Sequence, residues 1–261
     1  MKNRAFDVLG NIAIVNFSKK TAKKDKIKFA EKILKENKSI TTILEKTGKV
    51  KGRLRKPTTK YLSGEKTKEV IYRENNCVFR FNVDNTYFSP RLSNERKELA
   101  SLIKKGEEVF VMFAGVAPFS VVIAKNSKAK KVYSNEINRE ANKYAELNIN
   151  LNKLKERIEL VNGDIKKVSQ KLKKQNKKFD VIVMPRPQLK DTFLKSAFDL
   201  SKKNTRIYYY DFCKQDETEK ITKKIKQEAK KSKKKIKILK MKKAGEIAPY
   251  KIRLRVDFII T

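Results

Sequence analysis

Four short stretches in the second half of the chain carry residue types that could bind a nucleoside-like cofactor. Each stretch follows an apolar run, and the four are Ala114-Gly115, Asn135-Glu136-Ile137-Asn138, Asn162-Gly163-Asp164 and Pro185-Arg186-Pro187. In a parallel sheet they would lie at one edge, because the carboxyl ends of the strands meet there. A carboxylate only accepts hydrogen bonds, so Glu136 could accept from ribose hydroxyls and Asp164 from an exocyclic adenine amine. Taken in this order, the stretches predict a site for S-adenosylmethionine.

The predicted cofactor-binding residues at this edge form one set. They are Phe113, Ala114, Gly115, Val116, Glu136, Ile137, Asp164 and Pro187. A small residue lets the backbone approach a ligand, and the helix that follows offers free N–H groups. Each feature also has a simpler interpretation, since a glycine turn between strand and helix occurs as scaffolding and either carboxylate could cap the next helix.

Composition indicates a nucleic-acid partner. The 261-residue chain has 66 Lys and Arg residues against 29 Asp and Glu residues, which gives a formal charge of +37. Self-repulsion of this size destabilises a compact fold unless a polyanion offsets it. An anionic membrane could attract the same charge, but the sequence has no apolar span long enough to cross a bilayer and no signal-peptide pattern. We therefore expect a cytoplasmic protein that binds nucleic acid.

The residue types that are missing restrict the chemistry. The sequence contains no histidine, and its two cysteines, Cys77 and Cys213, lie far apart. This excludes Cys/His zinc sites and any histidine-based triad or general base, and no metal site is predicted. Proton transfer must therefore use a carboxylate, a lysine or a tyrosine.

The hydrophobic pattern changes along the chain. Up to Phe81 it predicts an α+β module: a β-hairpin or a bulged strand pair over 6–17, a helix over 24–35, and strands near 41–44, 69–72 and 77–81. A basic loop, Gly52 to Pro57, could be either a solvated turn or functional. A helix is predicted from Ser89-Pro90 to about Ile103. Beyond Gly106, strands and helices alternate, which predicts a doubly wound, mostly parallel sheet with an antiparallel ending.

The elements of this second part are predicted individually. The expected strands are 109–113, 131–134, 158–161, 181–184, 206–212 and a closing pair near 236–239 and 254–260, and the expected helices include 119–125, 139–150, 166–175 and 217–233. The domain boundary is expected between Tyr87 and Gly106.

Several segments resemble the archaeal and eukaryotic tRNA (guanine-37-N1) methyltransferases. The segments are 89–96 (SPRLSNER), 112–119 (MFAGVAPF), 148–154 (NINLNKL), and the closing 248–250 (APY) and 256–258 (VDF). The similarity extends from Phe6 to the C-terminus. It implies a Rossmann-like class I methyltransferase domain over 89–261. A small α+β domain over 1–88 would bind RNA and complete the active site.

The resemblance implies methyl transfer from S-adenosylmethionine to N1 of guanine 37, next to the anticodon of a bound tRNA, by a protein expected to be a monomer. Guanine N1 carries a proton, so the reaction needs a base and a cation or donor at O6. By matching position, Glu95 would be the general base and Arg55 the O6 partner, while Tyr87 and Arg91 would frame the cofactor and the target base. Glu95 could instead be a first-turn helix carboxylate, and Arg55 a phosphate contact.

Three positions depart from the family's pattern. The family carries an acid where this chain has Val111 and a glycine where it has Ala117. Its Asn-Leu-Pro after the fourth strand becomes 185–187 (Pro-Arg-Pro), so Pro185 replaces an asparagine that helps to place the target base. Most relatives also begin with another small domain that contacts the tRNA elbow, and this chain is expected to start after it. The lysine-rich faces at 171–178 and 230–243 would then compensate through phosphate contacts.

Three hypotheses follow. The first is the guanine-37 N1 methyltransferase. The second is a wyosine-pathway transferase, which would add a methyl group at C7 of the tricyclic base or an aminocarboxypropyl group at the same tRNA position, and Pro185 motivates it. The third is a non-catalytic tRNA-binding protein on a decayed methyltransferase fold. Val111 and Ala117 motivate that third hypothesis, whereas Glu95, Glu136 and Asp164 argue against it.

Overall fold

The computed structural model of the chain describes residues 6–18, 20–48, 58–186 and 188–261. The predicted basic loop with Arg55, and also Pro187, therefore lie outside the described residues. The chain divides into two compact units, Met1–Pro90 and Arg91–Thr261. Within the described ranges, no helix has the length and apolar character needed to span a membrane.

The first unit combines a four-stranded sheet with one helix and a separate hairpin. Its elements are β1 (Phe6–Leu9), β2 (Ile12–Val15), α1 (Lys23–Glu36), β3 (Thr42–Lys46), β4 (Thr59–Gly64), β5 (Glu69–Glu74) and β6 (Cys77–Asn82). The sheet order is β1-β2-β3-β4, and α1 connects the parallel pair β2 and β3. The predicted hairpin, helix and strands are confirmed. β4 was not predicted, because its sequence, TKYLSG, has little apolar alternation.

A tight turn joins β1 to β2 and contacts the separate hairpin. Gly10 has a φ of +54°, and a Cβ at this position would lie 1.9 Å from the carbonyl oxygen of Ile71. The next residue, Asn11, accepts a hydrogen bond on Oδ1 from the Ile71 N–H at 2.8 Å. Only glycine satisfies both the left-handed backbone and this close approach.

The second unit is a seven-stranded sheet with helices. Its elements are α2 (Ser93–Leu102), β7 (Glu108–Val111), α3 (Pro118–Asn126), β8 (Lys131–Glu136), α4 (Arg139–Leu151), β9 (Ile158–Asn162), α5 (Ile165–Lys174), β10 (Phe179–Met184), α6 (Leu194–Asp199), β11 (Ser201–Lys214), α7 (Thr218–Lys231), β12 (Ile236–Ala248) and β13 (Lys251–Ile260). The strand order is β12-β13-β11-β10-β7-β8-β9. Five neighbouring strands of this order, β11, β10, β7, β8 and β9, are parallel. β13 pairs antiparallel with β11 and β12. The predicted doubly wound sheet with an antiparallel ending is confirmed.

Strand alternation separates two faces of this sheet. Phe110, Ile182 and Tyr209 belong to one large core together with residues of α5, α6 and α7. Because successive side chains of a strand point to opposite faces, Tyr210 faces the other side. Its hydroxyl donates to Glu95 of α2, so α2 lies on that opposite face.

Two elements differ in extent from the prediction. The helix expected from Ser89 begins as a 3-10 turn at Pro90–Leu92, and α2 starts only at Ser93, after Leu92, whose φ of −96° and ψ of 9° are not α-helical. β11 extends beyond 206–212, since its last residue, Lys214, still pairs with Lys251 of β13. This longer pairing depends on residues distant in sequence, which local alternation does not reveal.

Candidate active site

The carboxyl ends of β7, β8 and β9 are joined by hydrogen bonds, and we call them the strand-end edge. The Gly115 N–H donates to Glu136 Oε2 at 2.8 Å, and the Gly163 N–H donates to the Glu136 carbonyl at 2.8 Å. Asn135 Nδ2 donates to the carbonyls of Val161 and Gly163 at 2.7 and 3.1 Å. Three of the four predicted stretches therefore come together around Glu136.

The Glu136 carboxylate is positioned by backbone donors. Its Oε1 accepts from the N–H groups of Ile137 and Asn138, both at 2.8 Å, while Oε2 accepts from Gly115. A carboxylate offers roughly four acceptor positions, so three are used and one can accept a hydroxyl. A ribose diol fits this site if one backbone N–H yields its place. The residues present therefore fit the nucleoside part of the predicted cofactor.

The turn after β7 has an unusual backbone. Phe113, Gly115 and Ala117 have φ values of +57°, +58° and +64°, all in the left-handed region. Ala117 is the position where the resembled family carries glycine, and the left-handed conformation explains that preference. Val111 is fully buried between Ser134 of β8 and Val183 of β10, so this departure supplies packing and no polar group.

The other predicted residues of the turn are fixed by packing. Phe113 meets Phe193 edge to face, with ring centroids 5.0 Å apart. Ala114 and Val116 are buried, and the Val116 carbonyl accepts from Asn148 Nδ2 at 3.0 Å. These two residues therefore shape the turn through their backbone, and their side chains contribute only packing.

Asp164 caps a helix. Its Oδ1 accepts from the Lys166 N–H at 2.8 Å, as the simpler interpretation expected. A cavity of about 500 Å³ opens between α4 and the end of β9, and its lining includes Ile137 and Gly163. Asp164 directly follows this lining in sequence, so its capping role fixes it near the cavity.

Glu95 lies in a buried ionic group that we call the Glu95 cluster. The cluster consists of Glu95, Glu98, Tyr210, Lys242, Arg255 and Asp257. Glu95 Oε2 accepts from Arg255 Nη1 at 2.7 Å and from the Tyr210 hydroxyl at 3.0 Å, and Oε1 accepts from Lys242 Nζ at 2.7 Å. Glu95 is 5% exposed and Arg255 is fully buried. The carboxylate is therefore held in one orientation by side chains from three strands.

Arg255 is the centre of this cluster. Besides Glu95 it donates to Glu98 Oε1 at 2.8 Å, and its Nε donates to Asp257 Oδ1 at 2.8 Å. Burial opposes charge on Arg255, but the hydrogen bonds from its guanidinium to Asp257 and Glu98 raise its pKa above the ordinary value. Burial also raises the pKa of Tyr210 well above its ordinary value. Tyr210 therefore remains a phenol that donates to Glu95.

The loop after β10 is held by Arg186. Its Nη1 donates to Asp211 Oδ1 at 2.6 Å, and its Nη2 donates to the carbonyls of Leu189 and Asp191 at 2.6 and 2.7 Å. Arg186 is 3% exposed, so the loop closes over its side chain. Pro185, half-buried at the start of this loop, offers neither an N–H nor a polar side chain.

Two predicted residues lie near the division between the units. Tyr87 belongs to the first unit and is half-buried, whereas Arg91 is exposed at the 3-10 turn before α2. Both residues make contacts of their own in the structure. Sequence reasoning missed Tyr210, Lys242 and Arg255, because these residues lie more than 100 positions beyond Glu95 and form no motif with it. The closing 256–258 segment was the one signal close to them.

Comparison with known families shows where this arrangement belongs. Residues 70–239 match the TRM5/TYW2 methyltransferase domain. The chain belongs to the TRM5/TYW2 methyltransferase family. Residues 2–67 match the TYW2 N-terminal domain. The resemblance inferred from the sequence motifs is thereby confirmed.

Relatives within the TRM5/TYW2 family carry more than one activity in their names. A Nanoarchaeum equitans protein, tRNA (guanine(37)-N(1))/4-demethylwyosine(37)-methyltransferase Taw22, is 34% identical over 98% of this chain and 99% of its own length. Pyrococcus abyssi tRNA (guanine(37)-N(1))-methyltransferase Trm5b is 35% identical over 80% of this chain and 60% of its own length. The chain thus spans nearly all of the first relative and about three-fifths of the second.

Solved structures of TRM5/TYW2 relatives share the fold. Trm5b from Pyrococcus abyssi superposes with a TM-score of 0.85 and 31% identity, over 98% of this chain and 75% of that one. The complex of aTrm5 with tRNALeu has a TM-score of 0.83 and 28% identity, over 98% of this chain and 72% of that one. Methanocaldococcus jannaschii Trm5 in complex with adenosine has a TM-score of 0.80 and 28% identity, over 98% of this chain and 74% of that one. Adenosine is the nucleoside part of S-adenosylmethionine, so the cofactor prediction is confirmed at the level of the family.

Proposed function

We propose that this protein transfers a methyl group from S-adenosylmethionine to N1 of guanine 37 in tRNA. The observation that carries the proposal is the similarity to Taw22. The similarity extends over 99% of that relative, and the relative's name includes this activity. The strand-end edge supports it, because Glu136 and the turn at Gly115 form an acceptor and a close backbone approach for a nucleoside.

The cofactor's part in this proposal is simple. When bound, S-adenosylmethionine supplies a methyl group attached to a positively charged sulfur. Glu136 would accept from the ribose, Ile137 and the cavity beside it would take the adenine, and Asp164 would accept from the adenine amine. Phe113 and the residues up to Val116 would form the wall of the site through their backbone.

The proton on guanine N1 must be removed for transfer to occur. We assign this to Glu95, because Arg255 and Tyr210 fix Oε2 and leave Oε1 as the oxygen that can face a base. Lys242 occupies Oε1 in this structure, so it must give way before a proton can be taken. Arg55 as the partner of O6, Pro185 as the contact near the target base, and Tyr87 and Arg91 as framing residues remain proposals.

Recognition of tRNA rests on charge. The formal charge of +37 suits a polyanion, and the solved relative aTrm5 was obtained as a complex with tRNALeu. We propose that the first unit contributes RNA contacts and completes the active site, and that one copy of the chain acts alone. Phosphate contacts make such binding fall steeply as salt rises.

A second candidate is methyl transfer to 4-demethylwyosine at the same position. The Taw22 relative carries this activity in its name as well, and residues 2–67 match a TYW2 N-terminal domain. Pro185 favours it, because a proline cannot supply the amide donor or acceptor of the family's asparagine to a guanine. Aminocarboxypropyl transfer to a wyosine-type base is a variant of this candidate that uses the same cofactor.

A transfer assay distinguishes these candidates. Labelled S-adenosylmethionine would be incubated with tRNA transcripts that carry guanine or adenine at position 37, and with tRNA that carries 4-demethylwyosine, followed by nucleoside mass spectrometry. The leading proposal predicts 1-methylguanosine from the guanine transcript alone. Product only from the tricyclic base would replace it with the second candidate. No product, with tRNA bound and no cofactor binding by calorimetry, would leave a non-catalytic tRNA-binding protein.

A further inference from the structure

We propose that Lys242 is a positioning residue that covers Glu95 in the free protein and moves onto Glu98 when the target base enters. The inference rests on the proposed function, since it takes Glu95 as the group that receives the N1 proton. It concerns the order of contacts within the Glu95 cluster, which the proposed function leaves open.

Lys242 already contacts both carboxylates. Its Nζ lies 2.7 Å from Glu95 Oε1 and is also hydrogen-bonded to Glu98 Oε2. The two glutamates are three residues apart on α2, which places their side chains next to each other on the helix surface. A small rotation of the lysine stem can therefore break the Glu95 contact and keep the Glu98 contact.

The two cations of the cluster differ in their freedom to move. Arg255 is fully buried and donates to three carboxylates, so moving it would leave several buried charges without a partner. The Lys242 side chain is 33% exposed on the edge strand β12, and its ammonium is a flexible point charge. The displacement thus falls to Lys242.

The receiving carboxylate is also the more accessible one. The Glu98 side chain is 30% exposed, against 6% for Glu95. Burial pushes the pKa of Glu98 upward, but hydrogen bonds from Arg255 and Lys242 and their charges hold it at about 2. Glu98 therefore stays ionised at neutral pH and remains a partner for the ammonium. Lys242 needs no proton change to move.

The displacement prepares Glu95 for its task. While Lys242 is in place, Glu95 faces two cations, Arg255 and Lys242, together with the Tyr210 hydroxyl. Glu98 and Asp257 are the negative groups around them. Withdrawing one cation favours the protonated form of a carboxylate. Lys242 would therefore keep the Glu95 carboxylate charged until the target guanine arrives. Its departure would then promote transfer of the N1 proton to Glu95.

The test compares two substitutions of Lys242 with one matched control. Single-turnover methyl transfer would be measured against pH at saturating S-adenosylmethionine and with tRNA well below saturation, so that the profile reports the free protein in which Lys242 contacts Glu95. The proteins compared are the native protein, Lys242→Met, Lys242→Arg and Lys195→Met. Lys195 on α6 is exposed and pairs with Asp199, outside the cluster. Lys195→Met should keep the acidic limb at its native position.

The two substitutions should act differently. Lys242→Met should move the acidic limb of the profile to higher pH by about one unit, because a cation within hydrogen-bond distance is lost. Lys242→Arg should keep the limb and lower the plateau by about threefold or more, because a planar guanidinium can hold both carboxylates at once. If Lys242 had a purely structural role, neither the acidic limb nor the plateau would change when proteins of equal thermal stability are compared.

Other outcomes decide against the proposal in separable ways. A native protein that is active, with a Lys242→Met profile that superposes on the native one, would overturn the Lys242 inference alone. If Lys242→Met does not fold, Glu98→Gln replaces it. This change removes the carboxylate that receives Lys242, so the plateau of the transfer rate should fall, and an unchanged plateau would overturn the inference. A native protein that transfers no methyl group at any pH would overturn the proposed function, and this inference with it.

Discussion

The strand-end edge and the Glu95 cluster hold their carboxylates with different kinds of donor. Glu136 accepts from three backbone N–H groups, two of them from the residues that directly follow it. Glu95 accepts from Arg255, Lys242 and Tyr210, which come from three separate strands. Neutral backbone donors leave Glu136 its full negative charge, which the proposed site would offer to ligand hydroxyls. Charged donors neutralise Glu95 and allow its burial.

This difference predicts how each region fails. The edge depends on the path of the backbone through three turns, so a side-chain substitution there should affect ligand binding more than folding. The cluster depends on mutual compensation among charges, so loss of one member leaves the others buried without a partner. Substitutions that separate binding from stability therefore test the comparison.

The largest effect is expected for Arg255→Met. This change removes the guanidinium from Glu95, Glu98 and Asp257 while the methionine keeps much of the apolar stem. Breaking a buried ion pair from one side destabilises by about 3–5 kcal/mol, and we expect a loss of that size in the free energy of unfolding. Urea titration followed by circular dichroism measures it.

Arg253→Met is the control for that variant. Arg253 lies two residues earlier on β13, is half-buried, and contacts the ring of Phe212 with its guanidinium 5.3 Å from the centroid. A contact of this kind contributes about 0.5–1 kcal/mol. Equal losses in the free energy of unfolding for the two variants would show that the ion pairs of Arg255 stabilise the fold no more than an ordinary surface contact does.

Glu136→Gln should weaken cofactor binding without unfolding the protein. The amide replaces one acceptor oxygen by a donor, while hydrogen bonds to a charged group contribute about 1.5–3 kcal/mol, so the dissociation constant for S-adenosylmethionine should rise tenfold to a hundredfold. Isothermal calorimetry measures this change. Glu140→Gln, at an exposed ion pair with Lys143 on α4, is the control and should bind as the native protein does. Unchanged affinity in Glu136→Gln would remove Glu136 from the site.

Acid should weaken the cluster through Glu98. Burial raises the pKa of Glu98, but the hydrogen bonds from Arg255 and Lys242 lower it to about 2, against 4.5 ordinarily. A depressed pKa gives stability that is complete above pH 4.5 and is lost as pH falls toward 2. Allowing for partial exposure, the loss is about 1–2 kcal/mol.

Comparison with Glu98→Gln isolates this contribution. Burial raises the pKa of Asp257, so Asp257 acts with the opposite sign and favours the folded state as pH falls. Urea titrations of both proteins between pH 5 and 2 would share that contribution. The stability difference between them should shrink as pH falls, and a constant difference would exclude the Glu98 assignment.

The smallest effect is expected at the turn after β7. Ala117 holds a φ of +64°, which an L-residue adopts at a penalty of about 1–2 kcal/mol, while its methyl group is fully buried. Ala117→Gly relieves the penalty and loses the methyl contact, so stability should stay constant or rise by up to about 1 kcal/mol. Ala114→Gly, three residues earlier without a positive φ, should lose about 1 kcal/mol. Equal losses in thermal unfolding would exclude backbone strain at Ala117.

The two regions also differ in how far the sequence reveals them. The edge was predicted, because an apolar strand followed by Gly115, and another ending at Glu136, are local patterns that a parallel sheet must bring together. The Tyr210, Lys242 and Arg255 donors were missed. Their positions depend on the register of β11, β12 and β13, and no spacing along the chain encodes which side chains of an antiparallel ending meet α2.

The smaller differences between prediction and structure have a similar origin. The helix predicted from Ser89 begins as a 3-10 turn over Pro90–Leu92 before α2 starts at Ser93, and the Ser-Pro start signal does not distinguish the two helix types. Arg186 was expected to be part of a strand-end loop, but its ion pair with Asp211 could not be anticipated. Local conformation was therefore predictable, whereas the charges that hold it became visible only with the fold.

The separation of tasks between the two regions can be measured most directly with Glu95→Gln. Calorimetry with S-adenosylmethionine and single-turnover methyl transfer to the guanine-37 transcript would be carried out on the native and substituted proteins. If the edge binds cofactor and Glu95 takes the proton, affinity should stay within about threefold of native while the transfer rate falls by about a hundredfold or more. Equal losses of affinity and rate, or an unchanged rate, would contradict this division of tasks.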